Sequence, residues 1–213
     1  KLDSNENYVI PKQFQNDIIS SAKKNSDIRE YPLGGVERLI DSISKFVKIP
    51  SSMVGVGNGS DQILDLILSN FASKQTKVLT SNPTFGFFEE RCKLYNIPLI
   101  AIPFSDDMKL NIKDFTKQSK NADILYLDSP NNPTGFQFSK NELQKLIKSF
   151  SGLVIIDEAY GEFSEYSLSS MVKTQNNLIV VQTLSKSFGL AGLRLGYFIA
   201  SKKFTETFMN VLQ

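Results

Sequence analysis

Short apolar runs alternate along this chain with longer segments whose apolar residues recur at helical spacing. Seven runs have the length and composition of buried β-strands, at residues 54–56, 77–80, 99–103, 124–127, 153–156, 178–183 and 195–200. Apolar strands that alternate with helices predict a mostly parallel sheet covered by helices on both faces. In such sheets ligands bind at the carboxyl ends of the strands, so functional residues are expected in the loops that follow them.

Helices are predicted from apolar residues that recur every three to four positions. The predicted segments are 13–24, 37–46, 60–71, 85–95 and 139–150. The last of these opens with Ser139 and Glu142, the spacing of a capping box, in which each side chain bonds a backbone N–H at the start of the helix.

The first fifty residues are more polar than the rest of the chain. We interpret residues 1–35 as an arm that leads into an α/β body at residues 36–213. A further helical segment begins at Lys202 and stops at Gln213, in the middle of an element. That position suggests a chain truncated before a further domain.

Composition argues against several classes of function. The formal net charge of +2 gives no reason to expect nucleic acid or an anionic membrane as a partner, and no apolar run approaches the ~20 residues of a membrane span. The absence of histidine removes Ser-His-Asp and Cys-His nucleophile systems and histidine zinc motifs, so no metal site is expected. The single Cys92 fits a reducing, cytoplasmic compartment.

Lys186 follows directly on a predicted buried strand. Hydroxyl side chains surround it at Thr183, Ser185 and Ser187, and Arg194 lies eight residues further on. A lysine at the end of a buried strand can be withdrawn from water, lose its proton and attack a carbonyl, which points to a covalent carrier of an aldehyde cofactor. The alternative is an exposed loop lysine, the usual fate of this residue type.

Two loops near the middle of the chain could contact such a cofactor. Gly57 and Gly59 precede a predicted helix, where backbone N–H groups can hold an anion; a glycine turn with Ser60 as the helix N-cap is about equally plausible. Phe85 begins the next helix and could stack on a flat ring, although a core aromatic is the commoner outcome.

Two further loops carry polar side chains directly after buried strands. Asn132 lies between two prolines in a turn that presents amide groups, so it could donate to a ring oxygen; a plain turn is the alternative. Asp157 ends a fully apolar strand, which costs free energy unless the carboxylate has a partner such as a cationic nitrogen. Tyr160 could bring a phenol to the same place. A helix-capping role is the alternative for Asp157.

Several stretches resemble the fold-type I aminotransferases that use pyridoxal 5′-phosphate (PLP). The carriers of the resemblance are Asn-Glu-Asn at 5–7, Ser-Pro-Asn-Asn-Pro-Thr-Gly at 129–135, Asp-Glu-Ala-Tyr-Gly-Glu-Phe at 157–163 and the fifteen residues 183–197. Within that family the chain is most similar to the histidinol-phosphate aminotransferases. The resemblance implies a three-layer α/β/α large domain with a mostly parallel seven-stranded sheet, an N-terminal arm and no small C-terminal domain.

The resemblance also implies a role for each matching residue. Lys186 would carry the cofactor covalently and shuttle a proton, Asp157 would keep the pyridine nitrogen protonated, and Tyr160 would complete the catalytic set. Asn132 and Tyr160 would contact the 3′-oxygen of the ring, and Phe85 would stack on it. The cofactor phosphate would be held by the backbone amides of Ser60 and Asp61, by Thr183, Ser185 and Arg194, and by Tyr31 of a partner subunit.

The function implied is transamination of histidinol phosphate with 2-oxoglutarate or glutamate, in histidine biosynthesis, by a cytoplasmic homodimer. Asn7 and Tyr8 would contribute to the substrate site, but family members usually have proline where Tyr8 stands, so the contact of the arm with the substrate phosphate is open. The arginine that binds the substrate carboxylate would lie in a small domain not included in this sequence.

Other functions remain open at this point. A threonine-phosphate decarboxylase or an aromatic amino acid aminotransferase would share nearly all the cofactor residues. A fragment that binds PLP without catalysis belongs to another class. A nucleotide-binding Rossmann domain, supported only by Gly57 and Gly59, is the weakest alternative because the third glycine of the fingerprint is missing.

Overall fold

The computed structural model describes residues 3–25, 27, 29 and 34–212, and it forms an α/β sandwich around one mixed sheet. The strands, in chain order, are β1 Val54–Asn58, β2 Val78–Asn82, β3 Leu99–Pro103, β4 Ile124–Asp128, β5 Leu153–Asp157, β6 Leu178–Thr183 and β7 Leu195–Ile199. Their order across the sheet is β1-β7-β6-β5-β4-β2-β3. Each predicted strand is present, with ends that differ by at most two residues.

Seven α-helices connect or flank the strands in the described ranges. They are α1 Lys12–Asn25, α2 Gly35–Val47, α3 Gly59–Phe71, α4 Gly86–Leu94, α5 Ile112–Gln118, α6 Lys140–Ser149 and α7 Lys202–Val211. Helix α5 was not predicted. It is two turns long, and Asn111 caps it by accepting a hydrogen bond from the Lys113 N–H at 3.0 Å.

The predicted capping box at the start of α6 is wrong in its contacts. Ser139 occupies the N-cap position but makes no side-chain bond to the helix backbone. Its hydroxyl instead donates to Oε2 of Glu142 at 2.5 Å. The two side chains that the pattern assigns to backbone N–H groups therefore satisfy each other.

Helices cover both faces of the sheet, as the apolar strands predict. On β5, Val154 and Ile156 pack into a core under α2 and α6, while Ile155 faces the opposite core under α3, α4 and α7. All three side chains are fully buried, which explains why polar residues do not alternate with apolar ones along this strand. The result is the three-layer α/β/α arrangement with a mostly parallel sheet.

Strand β7 runs against the other six. It pairs antiparallel with both β6 and β1, so its first residue lies at the carboxyl edge of its neighbours. Gly196 makes this close approach possible, because a Cβ there would lie 2.3 Å from the Ser60 nitrogen. The reversal therefore places Arg194, immediately before β7, beside the start of α3.

The arm makes few contacts through its own helix. Every described side chain of α1 except the half-buried Ile18 is exposed, including Ile19 at 65%. None of the helices in the part of the chain that the structure describes is long and apolar enough to cross a membrane.

Candidate active site

A cavity of about 600 Å³ opens at the carboxyl edge of the sheet. It lies where β1, β4, β5 and β6 end and β7 begins. Ten of the residues singled out from the sequence line it: Ser60, Asp61, Phe85, Asn132, Asp157, Tyr160, Thr183, Ser185, Lys186 and Arg194. The five loops that carried separate, individually weak signals thus meet in one concave site.

Lys186 reaches into the cavity from the loop after β6. It is half-buried, its Nζ donates to the carbonyl oxygen of Ser4 at 2.7 Å, and it lies 5.7 Å from the centre of the Tyr160 ring. A backbone carbonyl group of the arm therefore holds the lysine amine in place. A lysine in this position is a fixed group at a cavity wall, in contrast to the freely solvated loop lysine that the sequence left open.

Tyr160 is oriented by the arm as well. Its hydroxyl oxygen accepts a hydrogen bond from Nδ2 of Asn5 at 2.8 Å. Because that bond uses a lone pair of the oxygen, the phenolic proton stays available for an acceptor inside the cavity. Asn5 has a left-handed backbone (φ 51°), which asparagine tolerates better than most residues.

Asp157 forms part of the cavity floor and is 3% exposed. Its Oδ1 accepts from the Ala159 N–H at 2.9 Å and its Oδ2 from the Tyr126 hydroxyl at 3.1 Å. Burial, and next the neighbouring Asp128, raise the pKa of Asp157 to about 7. No ion pair to Asp157 occurs among the described residues, so its charge is uncompensated by the chain itself.

Hydroxyl groups and one guanidinium gather at the start of α3. The Thr183 and Ser185 hydroxyl oxygens lie 3.0 Å apart, and Ser60 is buried beside them at the first turn of the helix. Arg194 has a left-handed backbone (φ 51°) and pairs with Asp61 at 3.0 Å. The first N–H groups of a helix have no intrahelical partner, so this end of the cavity suits a phosphate.

Gly59 leaves room for that guanidinium. It has φ 78°, and a Cβ at this position would lie 2.7 Å from Nη2 of Arg194. A side chain here would therefore displace the arginine as well as strain the backbone. Ser60 does not cap α3: the N-cap residue is Asn58, and it makes no side-chain capping bond.

The aromatic ring of Phe85 and the amide of Asn132 complete the walls of the cavity. Phe85 is the N-cap residue of α4; its half-buried ring stacks against Phe87 at 5.9 Å and also lines the cavity. Asn132 is half-buried, and its backbone N–H donates to Oδ2 of Asp128 at 2.8 Å. Its side chain carries no described hydrogen bond that would compete with a ligand.

Two predicted residues, Asn7 and Tyr8, do not line the cavity. Asn7 bonds the Ser187 carbonyl oxygen through Nδ2 at 2.9 Å and so fixes the arm to the lysine loop. Tyr8 is 73% exposed and outside the cavity. Tyr31 lies outside the described residues. The substrate role assigned to Asn7 and Tyr8 therefore gains no geometric support here.

Sequence reasoning missed Asp128 and the contacts of Ser4 and Asn5. Asp128 ends β4 as Asp157 ends β5, so the signal used for one buried acid was available for the other. The contacts of the arm had no such signal, because they join residues more than 150 positions apart. No cluster of three or more potential metal-binding side chains occurs among the described residues.

Comparison with known proteins assigns this arrangement to a family. The model of the family described as "Aminotransferase class I and II" matches residues 1–213. The curated histidinol-phosphate aminotransferase of Pyrococcus furiosus is 34% identical over 212 residues, which cover 99% of this chain and 62% of that protein. This chain therefore spans less than two thirds of the length of that relative.

Solved structures agree on the fold. The histidinol-phosphate aminotransferase from Clostridium acetobutylicum matches with a TM-score of 0.84 and 26% identity, over 97% of this chain and 62% of that one. The histidinol-phosphate aminotransferase from Sinorhizobium meliloti, solved in complex with pyridoxal-5′-phosphate, matches with a TM-score of 0.88 and 22% identity, over 98% and 58%.

Proposed function

This chain belongs to the aminotransferase class I and II family, and from that premise we propose that the protein is a PLP-dependent histidinol-phosphate transaminase. It moves an amino group reversibly between histidinol phosphate and 2-oxoglutarate, with glutamate as the aminated form of the oxo acid, in a step of histidine biosynthesis. The curated relatives of that name, 31–34% identical over nearly the whole chain, support this substrate over phosphothreonine or aromatic amino acids.

One observation carries the cofactor assignment: a buried acid without a cation and a half-buried lysine line the same cavity. Asp157 has a pKa raised to about 7 by burial, and no described side chain neutralises it. The protonated ring nitrogen of PLP is the counter-charge that fits this carboxylate, and its aldehyde is the partner that fits Lys186. When bound, PLP supplies an electron sink for the carbon that loses a proton.

The residues of the chain would then hold the cofactor, orient it and exchange protons with the substrate. Asp157 would keep the proton on the ring nitrogen, and Lys186 would accept and return the proton at the substrate carbon. Tyr160, whose phenolic proton is free to point into the cavity, would donate to the ring 3′-oxygen together with Asn132. Phe85 would stack on the ring. The phosphate group would be held by the first N–H groups of α3, at Ser60 and Asp61, by the hydroxyls of Thr183 and Ser185, and by Arg194.

A half-reaction tests the substrate. The full-length, PLP-loaded protein should lose its visible absorption band on addition of histidinol phosphate and regain it with 2-oxoglutarate. Phosphothreonine is the matched competitor, since a decarboxylase would release CO₂ from it. Release of CO₂ from phosphothreonine, with no loss of the band on addition of histidinol phosphate, would overturn the substrate assignment.

The attachment site tests whether the protein is a catalyst or only binds the cofactor. Borohydride reduction should fix the cofactor to the peptide that contains Lys186, and Lys186→Ala should abolish that adduct. Lys173→Ala, at an exposed lysine whose Nζ bonds the Lys48 carbonyl, is the control and should leave the adduct intact. A loaded protein that forms the adduct but never transfers an amino group would favour the non-catalytic alternative.

The assembly belongs to the same proposal. The protein is a cytoplasmic homodimer with an arm at residues 1–35 and a PLP-binding large domain at 36–213, and Tyr31 of one subunit reaches the cofactor phosphate of the other. Exposed apolar side chains on the arm and α2, among them Val9 at 88%, Ile19 at 65% and Phe46 at 59%, support a partner surface there.

A further inference from the structure

Asp128 lies beside Asp157 on the floor of the cavity. The two residues end neighbouring parallel strands and are paired Cα to Cα in the register of β4 and β5, so their side chains point to the same face of the sheet. Asp128 is 7% exposed and Asp157 is 3% exposed, and both line the cavity. Two buried carboxyl groups thus share one wall of the site.

The donors around Asp128 are all neutral. Its Oδ1 accepts from the Thr84 hydroxyl at 3.0 Å and from Nδ2 of Asn131 at 2.9 Å, and its Oδ2 accepts from the Asn132 N–H at 2.8 Å. These bonds tie the loop after β2 to the loop after β4. Asp157 has two donors where Asp128 has three, so Asp128 is the better solvated of the two as a carboxylate.

We propose that Asp128 is a positioning residue that makes the cavity floor a two-carboxylate site for one positive charge, a proton in the free protein and the ring-nitrogen cation in the complex. This inference rests on the proposed function for the identity of the cation. In the exchange Asp157 loses its proton to solvent as the cationic ring arrives, and no covalent bond other than that O–H changes. Burial raises the pKa of Asp128 as well, but the three donors to its oxygens oppose that rise, so Asp157 is the member of the pair that gives up the proton.

The electrostatics of the site support this assignment. Two like charges at adjacent register positions disfavour double ionisation, and Asp157 has its pKa raised to about 7 by burial and next by Asp128. The other titratable or charged groups that act on the pair or line the cavity with it are Tyr126 on β4, Tyr160 after β5, Asp61 on α3, Cys92 on α4, Lys186 after β6, Arg194 before β7, and Asp3 and Glu6 on the arm. Near pH 7 the pair therefore holds one proton in about half of the molecules.

Calorimetry of pyridoxamine 5′-phosphate binding tests the exchange. This probe carries the same ring and phosphate but forms no bond to Lys186. Titration of the full-length apoprotein at pH 7, in two buffers of different ionisation enthalpy, should show release of roughly half a proton per site, because a group with a pKa near 7 is about half protonated there. Release should fall towards zero at pH 9. Absence of release at pH 7 would overturn the proposal.

Asp128→Asn is the decisive variant. It keeps the shape of the side chain and removes the charge, so Asp157 should ionise at lower pH. Proton release at pH 7 should largely disappear, and the probe should bind roughly tenfold more weakly at pH 8, where an opposite charge has been lost from beside the ring. Unchanged proton release in Asp128→Asn would show that Asp128 only braces the loops.

Thr84→Val is the matched control. It removes one of the same hydrogen bonds without removing the charge, so proton release should persist even if affinity drops. Failure of the proposed function is recognised separately, because the probe would then not bind the wild-type protein at all. In that event the apoprotein alone decides: its loss of stability between pH 5 and 8 should be smaller in Asp128→Asn, and identical curves would overturn the pair.

Discussion

Asp157 lowers the stability of the cofactor-free protein because its carboxyl group is buried away from water. Its pKa is raised from 3.8 to about 7 in the folded state, mainly by burial. The folded protein therefore binds more protons than the unfolded chain between these values, and the free energy of unfolding falls as pH rises through that window. At about 1.4 kcal/mol per pKa unit, the loss above pH 7 is on the order of 4 kcal/mol.

Asp157→Asn should separate stability from function. The amide can still accept from the Ala159 N–H and can donate to the Tyr126 oxygen, so the variant apoprotein should be more stable than wild type at pH 8, by roughly 1–4 kcal/mol, and equally stable at pH 4. Chemical denaturation at the two pH values measures this. The exposed Asp114→Asn should change neither value.

Cofactor binding should move in the opposite direction in the same variant. An amide offers no charge to a ring cation, so Asp157→Asn should retain little transaminase activity while gaining stability. A variant that was less stable than wild type at pH 8 would contradict the view that the buried carboxylate lowers the free energy of unfolding.

At the scale of the element, β7 depends on one glycine. A Cβ on Gly196 would lie 2.3 Å from the Ser60 nitrogen and 2.4 Å from the Gly59 carbonyl carbon. These are backbone atoms of the first turn of α3, which cannot rotate out of the way. The turn that presents N–H groups to the cavity is thus packed directly on the strand that follows Arg194.

Gly196→Ala should therefore destabilise the fold by roughly 1–3 kcal/mol, the usual cost of overpacking, and should weaken phosphate binding more than this strain alone implies. Thermal unfolding and titration with inorganic phosphate measure the two effects. Gly86→Ala, at the start of α4 with no atom within 4 Å of the added Cβ, is the control and should be neutral. Full phosphate affinity in Gly196→Ala would refute the link between β7 and the turn.

The elements of the body were predictable because each buried strand is a short apolar run with no polar alternation. Helix α5 was missed because its seven residues contain only two large apolar ones, Ile112 and Phe115, too few to show a period. The failed capping box has a different cause. Ser139 and Glu142 have the right spacing, but either side chain can bond the other as readily as the backbone, and spacing does not choose between them.

The candidate site divides in the same way. Residues directly after strands, such as Asp157 and Lys186, could be found because parallel strands bring their carboxyl ends to one edge. The contacts of the arm could not, since nothing local to Asn5 or Ser4 states that each meets a residue beyond position 150. Asp128 could be predicted by the same rule, because it ends β4 as Asp157 ends β5.

At the scale of the molecule, exposed apolar side chains concentrate on the arm and α2, which carry six of the eleven large ones among the described residues. Phe46 is 59% exposed and touches the ring of Phe188, two residues after Lys186, at 5.8 Å between centroids. Helix α1 buries almost nothing of its own. A second copy of the chain would cover these groups, and this would place the interface next to the cavity.

Phe46→Lys should therefore weaken the proposed homodimer by at least tenfold, since a charge would replace an apolar contact at the proposed interface. Sedimentation velocity across a dilution series measures the change. Leu94→Lys is matched in exposure, at 60%, but lies at the end of α4, away from the arm, and should leave assembly unchanged. Equal dissociation of both variants would place the interface elsewhere.

The reversal of β7 also constrains when the sheet can form during synthesis of the chain. In the part of the chain that the structure describes, β1 pairs with β7 alone, and Val54 faces Ile199. β1 therefore waits for β7 to be synthesised, roughly 10–30 s later at common rates of synthesis. During that interval the apolar residues of β1 and the first turn of α3 lack the strand they pack against. The phosphate end of the cavity therefore cannot form until β7 has left the ribosome.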